Sequence, residues 1–179
     1  SDEERVIKEV EDLIRRIRED NKRLLDEAEK IIRRVAEDNK KLVEDHRRML
    51  RKIDEEAKRG RDEKFLKDLV ERSERVVEES RRHVERNERE IREMLERLRE
   101  HVERNERELR EILERVVRKV GKETEDVKRL EEKVRKLLEE SKRKLKRLAE
   151  EVRKLIKDSR DKIRELEREN KEIIKKVKD

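Results

Sequence analysis

Twelve residues carry side chains suited to more than burial or solvation: Asn21, Asn39, His46, Ser73, Ser80, His83, Asn87, His101, Asn105, Ser141, Ser159 and Asn170. With Ser1 and Thr124 they are all the Ser, Thr, Asn and His of the chain, and Gln is absent. Imidazoles and hydroxyls together raise two chemistries, activation of a serine by a histidine base and coordination of a metal. The spacing supports neither. His83 and His101 stand 18 residues apart, roughly 27 Å along one helix, whereas zinc ligands must converge within about 2 Å of one point. There is no HExxH and no pair of histidines four residues apart. Ser159 beside His83 would sit inside a helical core, without an oxyanion-hole loop or a substrate pocket. The abundant carboxylates are uniformly solvated, and nothing places two of them in an apolar pocket where their proton affinities would diverge. Cys is absent, so thiolate chemistry and disulfides are excluded. No catalytic, cofactor-binding or metal-ligating residue is expected, and the chain is read as a non-enzyme that needs no cofactor.

Something must position these polar groups, and the composition restricts what. Of 179 residues, 61% are charged and 30% hydrophobic, with no Pro and only two Gly. That balance gives either disorder or long helices, and periodicity decides for helices. No apolar run exceeds two residues, which argues against a transmembrane span or a signal-peptide core. The chain is therefore expected to be soluble, with no natural address, and cytoplasmic in a recombinant host. Residues 1–60 and 61–121 each balance their charges, so the net +6 lies in residues 122–179, where 22 Lys and Arg mix with 16 Asp and Glu. A nucleic-acid surface needs clustered cations and stacking aromatics, and the single aromatic residue is Phe65. Neither nucleic acid nor membrane is expected as a partner.

Gly60 and Gly121 divide the sequence into near-equal thirds, each following a helical pattern as a helix-ending residue does. Asp62 and Thr124 are the following N-cap candidates, and Ser1 with Glu4 reads as a capping box. Helices are predicted over about 2–58, 62–119 and 124–178, within one domain spanning 1–179. Connections this short force antiparallel neighbours.

Within each third the apolar positions recur every 18 residues, five turns at 3.6 residues per turn, which keeps them on one face without supercoiling. In the first third the sets include Val6, Leu24, Leu42; Val10, Ala28, His46; Leu13, Ile31, Met49; and Asn21, Asn39, Ala57. In the second they include Phe65, His83, His101; Leu69, Asn87, Asn105; Val76, Met94, Ile112; and Ser80, Leu98, Val116. In the third, Val134, Val152, Asn170 and Ser141, Ser159, Val177 follow the same rule. Seven such sets form the face of the first and second helices and six that of the third, leaving no second apolar stripe for another partner. The predicted fold is an all-α, antiparallel up-down-up three-helix bundle of long, nearly straight helices.

All twelve polar residues fall on this lattice. Folding back about each glycine pairs positions whose numbers sum to about 120 between helices 1 and 2, and about 243 between helices 2 and 3. Three buried layers are then expected: Asn21, His101 and Ser141; Asn39, His83 and Ser159; His46, Ser73 and Asn170. Asn87 and Asn105 extend the second and first. Unpartnered, each such group costs roughly 1 to 3 kcal/mol, so clustering is required, and satisfied clusters fix register. Three core histidines held neutral would make stability fall below pH ~6.5.

The uniform Glu/Lys/Arg surface, the 18-residue repeat, the terse glycine connections and the Asn/Ser/His layers resemble computationally designed helical bundles with buried hydrogen-bond networks. That resemblance covers the whole chain and implies a de novo protein, a structural scaffold with no evolved activity. A monomer that closes its own core is expected, with a homo-oligomer, a designed helical partner or a pH-responsive assembly unit as alternatives. A spectrin-like spacer is a further alternative, but such repeats carry core aromatics and surfaces with Gln, Ser and Thr that this chain lacks.

Overall fold

The computed structural model describes residues 1–60, 62–121 and 124–178; Arg61, Lys122, Glu123 and Asp179 lie outside the described residues. Among the described residues three α-helices hold nearly everything: α1 (Asp2–Arg59), α2 (Glu63–Val120) and α3 (Glu125–Lys178). The protein is a three-helix bundle. The helices begin and end within a residue of the sequence expectation, because Asp62 and Thr124 act as caps just outside the helices they start. Asp62 Oδ1 accepts from the Lys64 N–H at 3.3 Å, and Thr124 Oγ1 accepts from the Val127 N–H at 3.4 Å. At α1 the Ser1 hydroxyl oxygen accepts from the Glu4 N–H at 3.3 Å while the Glu4 carboxylate reaches back to the Ser1 amine at 3.6 Å, the two halves of a capping box.

The two glycines end their helices for different reasons. Gly121 has φ +101°, a left-handed conformation that penalises any Cβ, and its N–H caps the Val117 carbonyl at 2.9 Å. Gly60 has no such φ. Instead the Phe65 ring lies over its Cα, where an added Cβ would overlap ring carbons.

The packing divides into two compact units. The first comprises Ser1–Lys30 with Glu93–Glu150, the second Ile31–Arg92 with Glu151–Asp179. Each takes a segment from every helix. In the first, Ile7, Val10, Ile14 and Ile17 of α1 bury against Leu109 and Val116 of α2 and Val127, Leu130 and Val134 of α3. In the second, Leu50 and Ile53 meet Leu69, Val77, Leu166 and Ile173, while Val43, Val84 and Ile163 form a smaller cluster. Both units therefore have α1 and α3 parallel and α2 antiparallel to them.

The lattice is not buried uniformly. Met49 is 47% exposed and Phe65 40% exposed, although both occupy predicted core columns. Their columns, Leu13, Ile31 and Met49 on α1 and Phe65, His83 and His101 on α2, contain no fully buried residue. Two neighbours cover a narrower stripe than seven positions in 18. The columns at the edge of the α1–α2 seam consequently stay half-open. No helix among the described residues is long and apolar enough to cross a membrane.

Candidate functional site

The polar residues assemble into two near-identical clusters, one in each unit. In the first unit Asn21, 3% exposed, occupies the centre. Its Nδ2 donates to Ser141 Oγ of α3 at 3.0 Å, and its Oδ1 accepts from Asn105 Nδ2 of α2 at 2.9 Å. One side chain thus ties all three helices with both halves of its amide satisfied. Beside it, His101 Nε2–H donates to Asp20 Oδ2 at 2.8 Å, at the edge of the seam rather than inside it. In the second unit Asn39 donates to Ser159 Oγ at 3.0 Å and accepts from Asn87 at 2.7 Å. His83 Nε2–H donates to Asp38 Oδ2 at 2.7 Å, and Asn87 reaches the same oxygen at 2.9 Å.

These partners differ from the expected layers in one systematic way: Asn105 and Asn87, not His101 and His83, complete the core triads. The cause is the tilt of every Cα–Cβ bond toward its own helix N-terminus. In antiparallel α1 and α2 the two tilts oppose, so residues bonded within the core sit further along both chains, and the numbers of each Asn pair add to 126 rather than 120. Between α2 and α3, Glu106–Lys142 and Glu88–Arg160 add to 248 rather than 243. In parallel α1 and α3 the tilts act in the same sense, and both Asn–Ser pairs differ by 120. The histidines lie in the half-open column at the edge of the α1–α2 seam, where His101–Asp20 and His83–Asp38 add to 121, and their side chains are 32% and 33% exposed.

The clusters extend to residues that the sequence reading did not single out. Glu106 on α2 binds Lys142 of α3 at 2.9 Å and Arg110 at 2.8 Å, and its counterpart Glu88 binds Arg160 of α3 and Arg92. Burial pushes the Glu106 carboxyl up, but the bonds from Lys142 and Arg110 outweigh it and hold the group below the ordinary carboxylate range. Asp38 is likewise held low, chiefly by the hydrogen bonds from His83 and Asn87. The signal was present in the copied stretches, Glu19 to Lys22 repeated at Glu37 to Lys40, and His83 to Glu90 repeated at His101 to Glu108. Asp20, Asp38, Glu88 and Glu106 lie within those copies.

No family model and no curated protein sequence matches the chain. Among solved structures it is similar to a "Computationally designed three helix bundle", at 17% identity and a TM-score of 0.50, over 98% of this chain and 86% of that one. This likeness is one of fold: three long helices in one bundle.

The remaining polar residues do not form the expected third layer. His46, buried on α1, hydrogen-bonds through Nδ1 to Ser80 Oγ of α2. Burial lowers the His46 proton affinity first of all; the Glu79 and Asp45 carboxylates oppose it, and nearby His83 adds to it. Ser73 turns back on its own helix and donates to the Val70 carbonyl at 2.8 Å. Asn170 is 7% exposed and its Oδ1 has no partner. The same tilt accounts for the change: His46 pairs seven residues further along α2 than Ser73, leaving Asn170 without its intended neighbours. Among the described residues no three His, Asp or Glu converge as a metal site would require.

Proposed function

We propose that the chain is a designed structural scaffold without enzymatic activity, in which the buried polar clusters specify which helices pair and in which register. The observation that carries this reading is the duplication itself. Asp20, Asn21, His101, Asn105, Glu106, Arg110, Ser141 and Lys142 recur as Asp38, Asn39, His83, Asn87, Glu88, Arg92, Ser159 and Arg160. Every equivalent is 18 residues away, later in α1 and α3 and earlier in α2, and the Asn–Ser distance is 3.0 Å in both. A reactive site has no need of a copy with identical surroundings, whereas a repeated backbone environment filled from one solution produces it.

The energetics support specification over raw stability. A satisfied hydrogen bond contributes about 0.5–1.5 kcal/mol net, but a buried amide facing Leu or Ile loses roughly 1–3 kcal/mol. Sliding one helix by a turn would strip partners from both clusters at once, so wrong registers suffer more than the native one gains.

The reading is tested by replacing both triads together, Asn21, Asn39, Asn87 and Asn105→Leu with Ser141 and Ser159→Ala. Helix content should persist and the denaturant midpoint should hold or rise, while cysteine cross-linking between α1 and α2 should report several registers instead of one. A variant with a single register and a single mass would refute the assignment.

A further inference from the structure

The α1–α2 seam of the first unit carries a groove that no part of the described chain fills. Its volume is about 380 Å³, with Val10 and Val116 as its floor and Val6, Leu13 and Ile112 as its walls. The floor residues are fully buried, while the walls, which also pack on the core, are only half-covered. They belong to three apolar columns, Val6–Leu24–Leu42 and Leu13–Ile31–Met49 on α1 and Val76–Met94–Ile112 on α2, none of which contains a fully buried residue. The apolar face at this seam is thus wider than the bundle core covers.

The rim gives the chemistry of the occupant. Arg16, Arg115 and Lys119 border the groove with one carboxylate, Glu9. Surface arginines nearby are neutralised: Arg15 by Asp12, Arg23 by Asp20, Arg110 by Glu106, Arg118 by Glu114. Among the described residues no ion pair engages Arg16, Arg115 or Lys119. Three cations against one carboxylate around an apolar trough form a complement to a partner with an apolar stripe and acidic flanks. The lining runs from Val6 to Arg16 on α1, and one turn further on Asp20 and His101 bridge the seam. A helix of about 14 residues, near 21 Å, reaches that bridge.

We propose that this groove is a docking site for an acidic amphipathic helix of about four turns, supplied by another molecule and lying along α1 and α2 as a fourth helix. Recognition follows the helix-in-groove mode, with apolar anchors seven residues apart to match Val6 and Leu13.

Two fluorescein-labelled 18-residue peptides with the same Leu/Ile face provide the test, one with Glu and one with Lys at every flanking position, titrated into the full chain and followed by anisotropy. The acidic peptide should bind one to one, at least tenfold more tightly than the basic peptide in low salt, with the gap narrowing in high salt. The Arg16→Glu, Arg115→Glu, Lys119→Glu variant alters only the rim and should reverse the preference. Leu13→Asp with Ile112→Asp should abolish binding of the acidic peptide. If the double variant loses helix content, the rim variant alone decides. Equal binding of both peptides, or binding of neither, overturns the proposal. So does a chain that is dimeric by light scattering and becomes monomeric on Leu13→Asp, since the groove's occupant is then a second copy.

Discussion

His46 and Ser80 share a hydrogen bond between α1 and α2 at positions whose 18-residue equivalents, Ala28 with Leu98 and Val10 with Val116, are apolar. The contrast matters because the two Asn–Asn–Ser triads are identical. A slip of 18 residues would still satisfy one triad, so the triads discriminate single turns but not a full repeat. The His46–Ser80 bond breaks that equivalence by setting polar atoms against Leu98 in the slipped state. The next equivalents of the second triad, Ala57, Leu69 and Val177, act in the same direction by offering no partner to a displaced Asn.

His46 should also be the main source of acid sensitivity above the carboxylate range. Its folded-state proton affinity is lowered, so below the unfolded value of about 6.5 the unfolded chain binds the extra proton. Stability is then fully present above pH 6.5 and declines as pH falls toward the lower folded value. The denaturant midpoint should be lower at pH 5 than at pH 7.5, and His46→Asn should remove most of the difference. Of the three histidines expected in the core, only His46 is fully buried, while His83 and His101 are half-buried at the seam edge on Asp38 and Asp20. A midpoint independent of pH in the parent would contradict the neutral, buried His46.

Asn170→Val should stabilise the protein. Asn170 Oδ1 is buried without a partner, a cost of about 1–3 kcal/mol, and its repeat equivalents are Val134 and Val152. Urea unfolding should show a raised midpoint with an unchanged slope. A lowered midpoint would mean that the amide has a partner in solution.

The glycines should respond differently to the same change. Gly121→Ala imposes a left-handed conformation on a residue with a Cβ, costing about 1–2 kcal/mol, although nothing lies within 4 Å of the new methyl group. Gly60→Ala meets the Phe65 ring, which is half-exposed and able to swing away. Its cost should be smaller and should largely vanish in a Phe65→Ala background, whereas that of Gly121→Ala should not change. Thermal unfolding of the three single and two double variants measures this coupling.

Much of this architecture was legible in the sequence. Helix ends were readable because Ser1, Asp62, Thr124, Gly60 and Gly121 contrast with everything around them. The membership of Asn21, Asn39, Ser141 and Ser159 in shared clusters was readable because parallel helices keep a constant numerical offset. The histidine positions were misread because their column lies at the half-open edge of the seam while side-chain tilt brings Asn87 and Asn105 to the core instead, which residue numbers alone do not display. Asp20, Asp38, Glu88 and Glu106 went unnoticed because a carboxylate has no contrast in a chain with 52 acidic residues. Only the literal copies mark them.

The triads themselves should show a sign reversal between single and complete replacement. Asn21→Leu alone leaves Asn105 Nδ2 and the Ser141 hydroxyl without their bonded partner, and these groups are half-buried and 3% exposed respectively. The expected loss is about 1–3 kcal/mol, near the upper end if no water reaches Ser141. Replacing all three, Asn21→Leu, Asn105→Leu and Ser141→Ala, removes the orphaned groups and adds apolar surface, so stability should return to the parent value or exceed it. The second triad supplies the control. Asn39→Leu should cost somewhat less, since Asn39 makes the same two bonds but Asn87 keeps its bond to Asp38. Asn39 lies five turns from Asn21 on α1 and shares none of its hydrogen-bond partners, so the two single losses should add to within about 0.5 kcal/mol in the double variant. Chemical denaturation of the singles, the double and the triple measures all four quantities. A single Asn21→Leu that is neutral would mean the triad is solvated, and strong non-additivity with Asn39→Leu would mean that the two clusters do not act as independent devices.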